Sequence, residues 1–184
     1  MGGSFTDAGS ANGDRIVRWT GAAWSALSTG IGNGTVYAIG ISGTDIFIGG
    51  SFVNVGSASG DSIVRWTGAA WSAMGSGLSS TVYGIATSGT DVYAVGKFAD
   101  AGGNASADKI AKWNGAAWSA LGSGIGGNPT FVYPKTVLVS GSDVYVGGIV
   151  SDIGGVAEAD GLGRWDGSNW NAVVGAPLGG INAL

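Results

Sequence analysis

The chain of 184 residues has no cysteine and no histidine. The first absence excludes disulfides, thiolate nucleophiles and cysteine-ligated metals. The second removes the commonest general base and the commonest zinc ligand. Charge is scarce as well: Asp, Glu, Lys and Arg make up 11% of the chain, with eight basic residues against twelve acidic and a net charge of -4. So small a basic complement argues against nucleic acid or an anionic membrane surface as partner. No apolar run approaches the roughly 18 residues of a membrane span, and no charged-then-apolar leader precedes the first repeat. Helical periodicity over ten or more residues is missing too. What the chain has in quantity is glycine, 38 residues without a three-residue period, and apolar residues, 45%. That is the composition of an ordered domain with many turns, long enough to bury a core.

All eight tryptophans fall into four pairs with one spacing: Trp19/Trp24, Trp66/Trp71, Trp113/Trp118 and Trp165/Trp170. The first members recur at steps of 47, 47 and 52 residues, a period that marks a solenoid or a propeller. Within the second repeat, Val36 to Ile41 and Ile46 to Gly50 read as strands about a Ser42-to-Asp45 turn. Ser62 to Trp66 and Trp71 to Met74 read as two more about Thr67-Gly68. Beta-branched and aromatic runs bounded by Gly, Asn, Asp and Ser clusters are the strand signature. These strands are apolar on both faces and so need cover on both. A radial stack of four-stranded units supplies it. The expected fold is all-β, a β-propeller of four-stranded antiparallel blades in one repeat domain, 1–184. Its blade parts are 1–34, 35–80, 81–127 and 128–180, and each Trp pair closes an outer hairpin. Residues 181–184 form a terminal strand.

Phe47-Ile48-Gly49-Gly50 ahead of Trp66 and Trp71, and Tyr145-Val146-Gly147-Gly148 ahead of Trp165 and Trp170, resemble the kelch repeat. There an aromatic strand ends in a glycine pair, and a later aromatic is separated from a tryptophan by a turn. The third copy, Tyr93-Ala94-Val95-Gly96, keeps one glycine. Gly2-Gly3-Ser4-Phe5, Ile16-Val17-Arg18-Trp19 and Trp24-Ser25-Ala26-Leu27 are similar to the kelch-like repeats of large fungal and bacterial cell-surface proteins. The resemblance spans essentially the whole chain. It implies a propeller, an extracellular or cell-surface location, and a non-catalytic scaffold or protein-interaction module. The alternative is a multivalent lectin, with indoles as sugar platforms and Asp or Asn accepting hydroxyl protons.

Ten of the twelve acids occupy repeat positions. Asp45, Asp91 and Asp143 close the first hairpin of their blades, and Asp14, Asp61, Asp108 and Asp160 stand five residues before the first Trp. Asp7, Asn54, Asp100 and Asp152 follow the glycine pair or its equivalent. A catalytic carboxylate pair belongs in one cleft with two different environments. Acids copied into every blade read instead as turn-formers that accept backbone N–H bonds. Calcium is weighed for the loops between Asp7 and Asp14 or Asp100 and Asp108, but they lack the dense alternation of acids of a calcium loop. No metal, cofactor or enzymatic activity is expected. Arg18, Arg65, Lys112 and Arg164 precede the first Trp of each pair. With Asp7, Asn54, Asp100 and Asp152 they form the candidate ligand-binding set, for an acidic or sugar ligand. The fourth repeat carries extra residues within Gly126 to Val137, expected as a surface loop.

Aligned on the repeat, Gly2 matches Gly49 and Leu184 matches Ile39. Three blades are therefore expected to be complete and one split. Ile181 to Leu184 should complete the first blade, within one chain as four blades or in a second copy as an eight-bladed homodimer.

Overall fold

The computed structural model describes residues 1–126, 132–176 and 179–184. Its strands are β1 (Val17–Trp19), β2 (Trp24–Ala26), β3 (Val36–Ser42), β4 (Asp45–Gly50), β5 (Ile63–Trp66), β6 (Trp71–Ala73), β7 (Val82–Ser88), β8 (Asp91–Gly96), β9 (Ile110–Trp113), β10 (Trp118–Ser119), β11 (Tyr133–Ser140), β12 (Asp143–Ile149), β13 (Leu162–Trp165) and β14 (Trp170–Ala172). Among the described residues the only helical pieces are two 3-10 turns, Ala101–Gly103 and Ile153–Gly155. The protein is all-β. Strands β3–β6, β7–β10 and β11–β14 form three antiparallel four-stranded sheets, each in chain order, and β1–β2 form a two-stranded one. Each first hairpin turns on two residues, and its glycine, Gly43, Gly89 or Gly141, has φ near +60°. That is the geometry a tight hairpin requires and a side chain resists.

The sheets stack in chain order, β3 and β4 against β7, then β7 and β8 against β11. The core follows the same plan. Phe47, Ile63 and Met74 of one sheet pack with Val82, Val92 and Phe98 of the next. Val95, Ile110 and Leu121 pack with Val137, Val144 and Ile153. Ile16, Leu27 and Ile31 pack with Val36, Ile48 and Val64. Every core cluster thus straddles two consecutive repeats, which is why the strands are apolar on both faces. On the first strands of the three sheets, Tyr37 lies against Tyr83 and Tyr83 against Tyr133 in tilted contact, with ring centroids 5.5 and 5.6 Å apart.

The Trp pairs lie where the sequence placed them, Cα partners across the last hairpin of each repeat. Their ring centroids are 5.0–5.5 Å apart in tilted or edge-on contact, the arrangement aromatic quadrupoles favour. Trp118 Nε1 donates to Met74 O and Trp170 Nε1 to Leu121 O, both at 2.9 Å, so each of these indoles ties its sheet to the preceding repeat. Exposure follows position in the stack: Trp113 and Trp118 are 7% exposed, Trp19 and Trp24 52% and 41%.

The glycine pair has a steric explanation, and so does its loss in the third copy. A Cβ on Gly50 or Gly96 would collide with the carbonyl of Thr35 or Thr81, so the second glycine stays in every copy. The first faces the neighbouring sheet: a Cβ on Gly49 would stand 2.5 Å from Val82 Cγ1. Where Val95 replaces it, the cross-strand partner is Gly84; elsewhere that partner is Ala38 or Thr136. A Cβ on Gly84 would lie 2.8 Å from Val95 Cγ2 and 3.1 Å from Lys135 O of the next sheet. One member of each pair must be glycine for the sheets to approach.

One expectation needs correction. The extra residues of the fourth repeat are not wholly loop: Tyr133 to Val137 belong to β11, with a register shift between Pro134 and Thr136. Tyr133 extends the row of rings, and Pro134, lacking an N–H, sits on the sheet's edge strand, where proline is tolerated. The Asn128-Pro129 part of that segment lies outside the described residues. In the single chain Ile181 to Leu184 are not paired as a strand among the described residues. Ile181 N donates to Gly148 O at 3.3 Å, which lays the segment against β12. At the other end, Gly2 bridges Ile16, and Met1 exchanges backbone bonds with Val17, as an opening inside a second strand requires.

The Gly84/Val95 pair gives a testable coupling. Gly84→Ala alone should cost about 1–3 kcal/mol through overpacking, and Val95→Gly a similar amount through the cavity left. Urea unfolding of the double variant should show a cost well below the sum of the two.

Candidate functional site

The four loops after the second strand share one clasp. The N–H of Asp7, Asn54, Asp100 and Asp152 donates to Oδ1 of Asp14, Asp61, Asp108 and Asp160 at 2.9, 2.7, 2.9 and 3.0 Å. The donating residues are exposed and left-handed, with φ from 48° to 58°, a conformation Asp and Asn tolerate better than most side chains. The backbone carbonyls of Asp14, Asp61 and Asp108 accept the N–H groups of Ile31, Leu78 and Ile125 at 3.0 Å, and these three side chains are buried in the core. Half of the candidate ligand-binding set, Asp7, Asn54, Asp100 and Asp152, therefore sits at loop corners whose partners are carboxylates. Among the described residues no group of three acidic side chains gathers as a metal site would need.

The cationic half is engaged inside the sheets. Arg65, Lys112 and Arg164 lie opposite Phe47, Tyr93 and Tyr145. They reach Asp45, Asp91 and Asp143 of the same strand as that aromatic, at 3.6, 2.6 and 3.3 Å. Lys112 Nζ also stands 5.8 Å from the centre of the Tyr93 ring. Arg18 is exposed beside Trp19, and the ion pairs among the described residues do not include it. The two halves of the set do not meet in one pocket. The cation–Asp rungs lie by the first hairpin, the left-handed corners in the loop beyond the strand's other end.

One cleft brings a single member of the set, Arg65, beside a tryptophan. Between the β3–β6 and β7–β10 sheets, Ser42, Asp45, Phe47 and Arg65 face Thr90, Trp113 and Gly115 around about 210 Å³. It offers an indole edge, an ion pair and two hydroxyls.

Sequence reading missed a second left-handed position, one residue after each clasping Asp: Arg15, Ser62 and Lys109, with φ of 58–60°, and Gly161 at 73°. Only Gly161 signalled it. Arg15 Nη1 donates to Ile31 O at 3.1 Å and Lys109 Nζ to Ile125 O at 3.0 Å, so the strained corner aims a cation at the loop carbonyls. The turn inside each Trp pair is locked by its first side chain. Thr20 and Thr67 bond Ala23 and Ala70, Asn114 Oδ1 accepts from Ala116 and Ala117, and Asp166 Oδ1 accepts from Ser168 and Asn169. The Asn169 and Ser168 N–H groups hold the Asp166 carboxyl below its ordinary range.

The lysines shift in opposite directions. Burial pushes Lys109 below the ordinary value of 10.5, only partly offset by Asp108. The hydrogen bond to Asp91 raises Lys112 above it. Between the lowered value and 10.5 the unfolded chain binds the extra proton at Lys109, so stability rises with pH there. Above 10.5 the folded chain holds the extra proton at Lys112, and stability falls as pH climbs through its raised value. A side-chain NMR titration should find Lys109 the first lysine to deprotonate and Lys112 among the last. In denaturant unfolding, Asp61→Ala should cost about 1–2 kcal/mol by leaving the Asn54 N–H without its acceptor. Ser62→Gly should instead add up to about 1 kcal/mol by relieving the left-handed corner.

No protein-family model matches the chain, and neither does any curated protein.

Proposed function

We propose that the chain is a kelch-like β-propeller segment serving as a non-catalytic scaffold or protein-interaction module of an extracellular or cell-surface repeat protein. The propeller reading is supported by consecutive four-stranded meanders that face one another in chain order, with their innermost strands in contact and their tyrosines in a row. The observation that carries the scaffold reading is the repeated closure of charge. Arg65, Lys112 and Arg164 are each paired with an Asp of their own repeat, and Asp14, Asp61, Asp108 and Asp160 each hold a loop N–H. Residues duplicated for structure leave the loops, rather than a reactive centre, as the part that meets other molecules.

The second reading, a sugar-binding module, rests on the cleft where the Trp113 edge meets Asp45 and Arg65. The two readings separate on a glycan array paired with tryptophan fluorescence. The scaffold reading expects no glycan retained and no quenching by millimolar monosaccharides. Saturable quenching that Arg65→Ala abolishes would establish the sugar site instead.

A further inference from the structure

The two ends of the stack are complementary, and we infer that a second copy of this chain joins them head to tail, two chains closing one ring. The inference rests on the propeller reading above and names the partner it implies.

The leading end is an uncovered sheet face. Tyr37, Ile39 and Ile41 of β3 are exposed, whereas their counterparts on β7, Tyr83, Ile85 and Thr87, are half-buried under β3. A groove of about 180 Å³ runs between Ile39, Ile41 and Ile46 on one side and Met1, Ile16 and Leu27 on the other. It lies where the first strand of the first repeat would run, beside Met1 to Gly3. Trp71 Nε1 is buried with no hydrogen-bond partner. The equivalent Trp118 and Trp170 donate to the preceding repeat, and the corresponding acceptor for Trp71 is Leu27 O, in the one incomplete sheet. Farther out on the same end stand the exposed Trp19 and Trp24.

The trailing end carries the matching pieces. Ile181, Asn182, Ala183 and Leu184 occupy the repeat positions of Val36, Tyr37, Ala38 and Ile39. They already lie on the third sheet as a following strand would. A Cβ on Gly147 would stand 2.9 Å from Ile181 Cγ2, much as one on Gly49 would meet Val82. Lys135 Nζ donates to Asn182 Oδ1 at 2.7 Å, carrying the row of inner-strand contacts one step past β11. At the outer edge, Gly75 and Gly122 each back onto the Trp pair of the following repeat. The equivalent residue of the last repeat, Val174, is fully exposed, with no indoles after it.

Docked, Ile181 to Leu184 of one copy run antiparallel to Gly2 and Gly3 of the other in the register of Val36–Ile39 on β4. Val174 meets the other copy's Trp19 and Trp24. Made reciprocally between two chains, the same contact would give a ring of eight blades, within the roughly four to eight usual for propellers. Closure within one chain is not seen: Trp19 and Trp24 stay 52% and 41% exposed and Val174 fully exposed, so the trailing end does not cover the leading one.

Light scattering on the size-fractionated 1–184 chain should give twice the chain mass of 18.0 kDa. Val174→Asp and Ile181→Asp should each bring it down to one chain mass while far-UV circular dichroism and cooperative unfolding persist. Hydrogen exchange on the unsubstituted protein keeps the test independent of variants that fail to fold. The amides of residues 2–3 and 181–184 should be protected at concentrations where the mass is doubled, and exchange freely on dilution to single chains. A single-chain mass with intact cooperative unfolding overturns the pairing and leaves the propeller reading standing. So does an assembly larger than two chains, or a doubled mass with those amides unprotected. Averaged electron-microscope images of two-chain particles should show eight blades around a channel; particles without a ring would overturn the propeller reading itself.

Discussion

A sheet with two apolar faces must be covered twice, and the rest of this structure answers to that requirement. Phe47, Ile63 and Met74 find their cover in Val82, Val92 and Phe98, and the sheet that supplies it passes the need along through Val95, Ile110 and Leu121. No sheet has a core of its own. Stability in such an array is a sum of interfaces rather than of units, so the sheet covered on both sides, β7–β10, is the natural centre of the fold. The close approach that makes the cover effective is what fixes the glycines. At Gly50 and Gly96 a side chain would meet a carbonyl, and at the Ala38/Gly49, Gly84/Val95 and Thr136/Gly147 pairs one strand or the other gives up its bulk.

The same logic explains how a chain with so little charge uses it. The cation–Asp pairs span adjacent strands by the first hairpin, and their side chains are about one quarter to two fifths exposed. Pairs so placed add little to stability because solvent screens them. Their value is in register, because a strand slipped by one residue would turn Arg65 into the core and Trp66 outward. The clasping aspartates act on connections instead. Asp14, Asp61 and Asp108 each join a left-handed corner to a buried residue of the next connection, so a loop of mostly small residues is held at both ends without a core of its own.

Much of this was legible in the sequence. The Trp spacing gave the period, the hairpin and the cross-strand pairing of all eight indoles, because an aromatic pair about a glycine turn has few other arrangements. The strands of the second repeat were legible to within a residue or two from alternating turn residues and beta-branched runs. Three things were not. The left-handed corner at Arg15, Ser62 and Lys109 carries residues that do not announce positive φ, and its only signal was Gly161. The Gly84/Val95 exchange looked like decay of a motif because its compensation lies on the neighbouring strand. The extra residues of the fourth repeat read as a loop, since sequence does not tell an edge strand, where Pro134 is tolerated, from a central one. The candidate site was legible as a set of positions but not as a set of partners. The repeat said which residues belong together by role; strand pairing is what brings the cations onto the hairpin aspartates and the corners onto the clasping ones.

What distinguishes the first repeat from the others is cover, not composition. Ile16 and Val17 are as buried as Ile63 and Val64, and Gly2 keeps the place of Gly49. Yet Trp19 and Trp24 are the two most exposed indoles, and Trp71, packed against this repeat, is the one indole left with a buried, unpartnered N–H. An unpaired buried donor costs about 1–3 kcal/mol, and exposed indole and isoleucine faces forfeit roughly 25 cal/mol for each Å² not removed from water. The exposed indoles of β1–β2 and the exposed isoleucines of β3 border one another at the leading end, where a strand and an outer edge laid against them would remove both from water. Where one repeat meets the next inside the stack, each face is covered by a repeat of the same design, and the trailing face of this chain offers that design to the leading one.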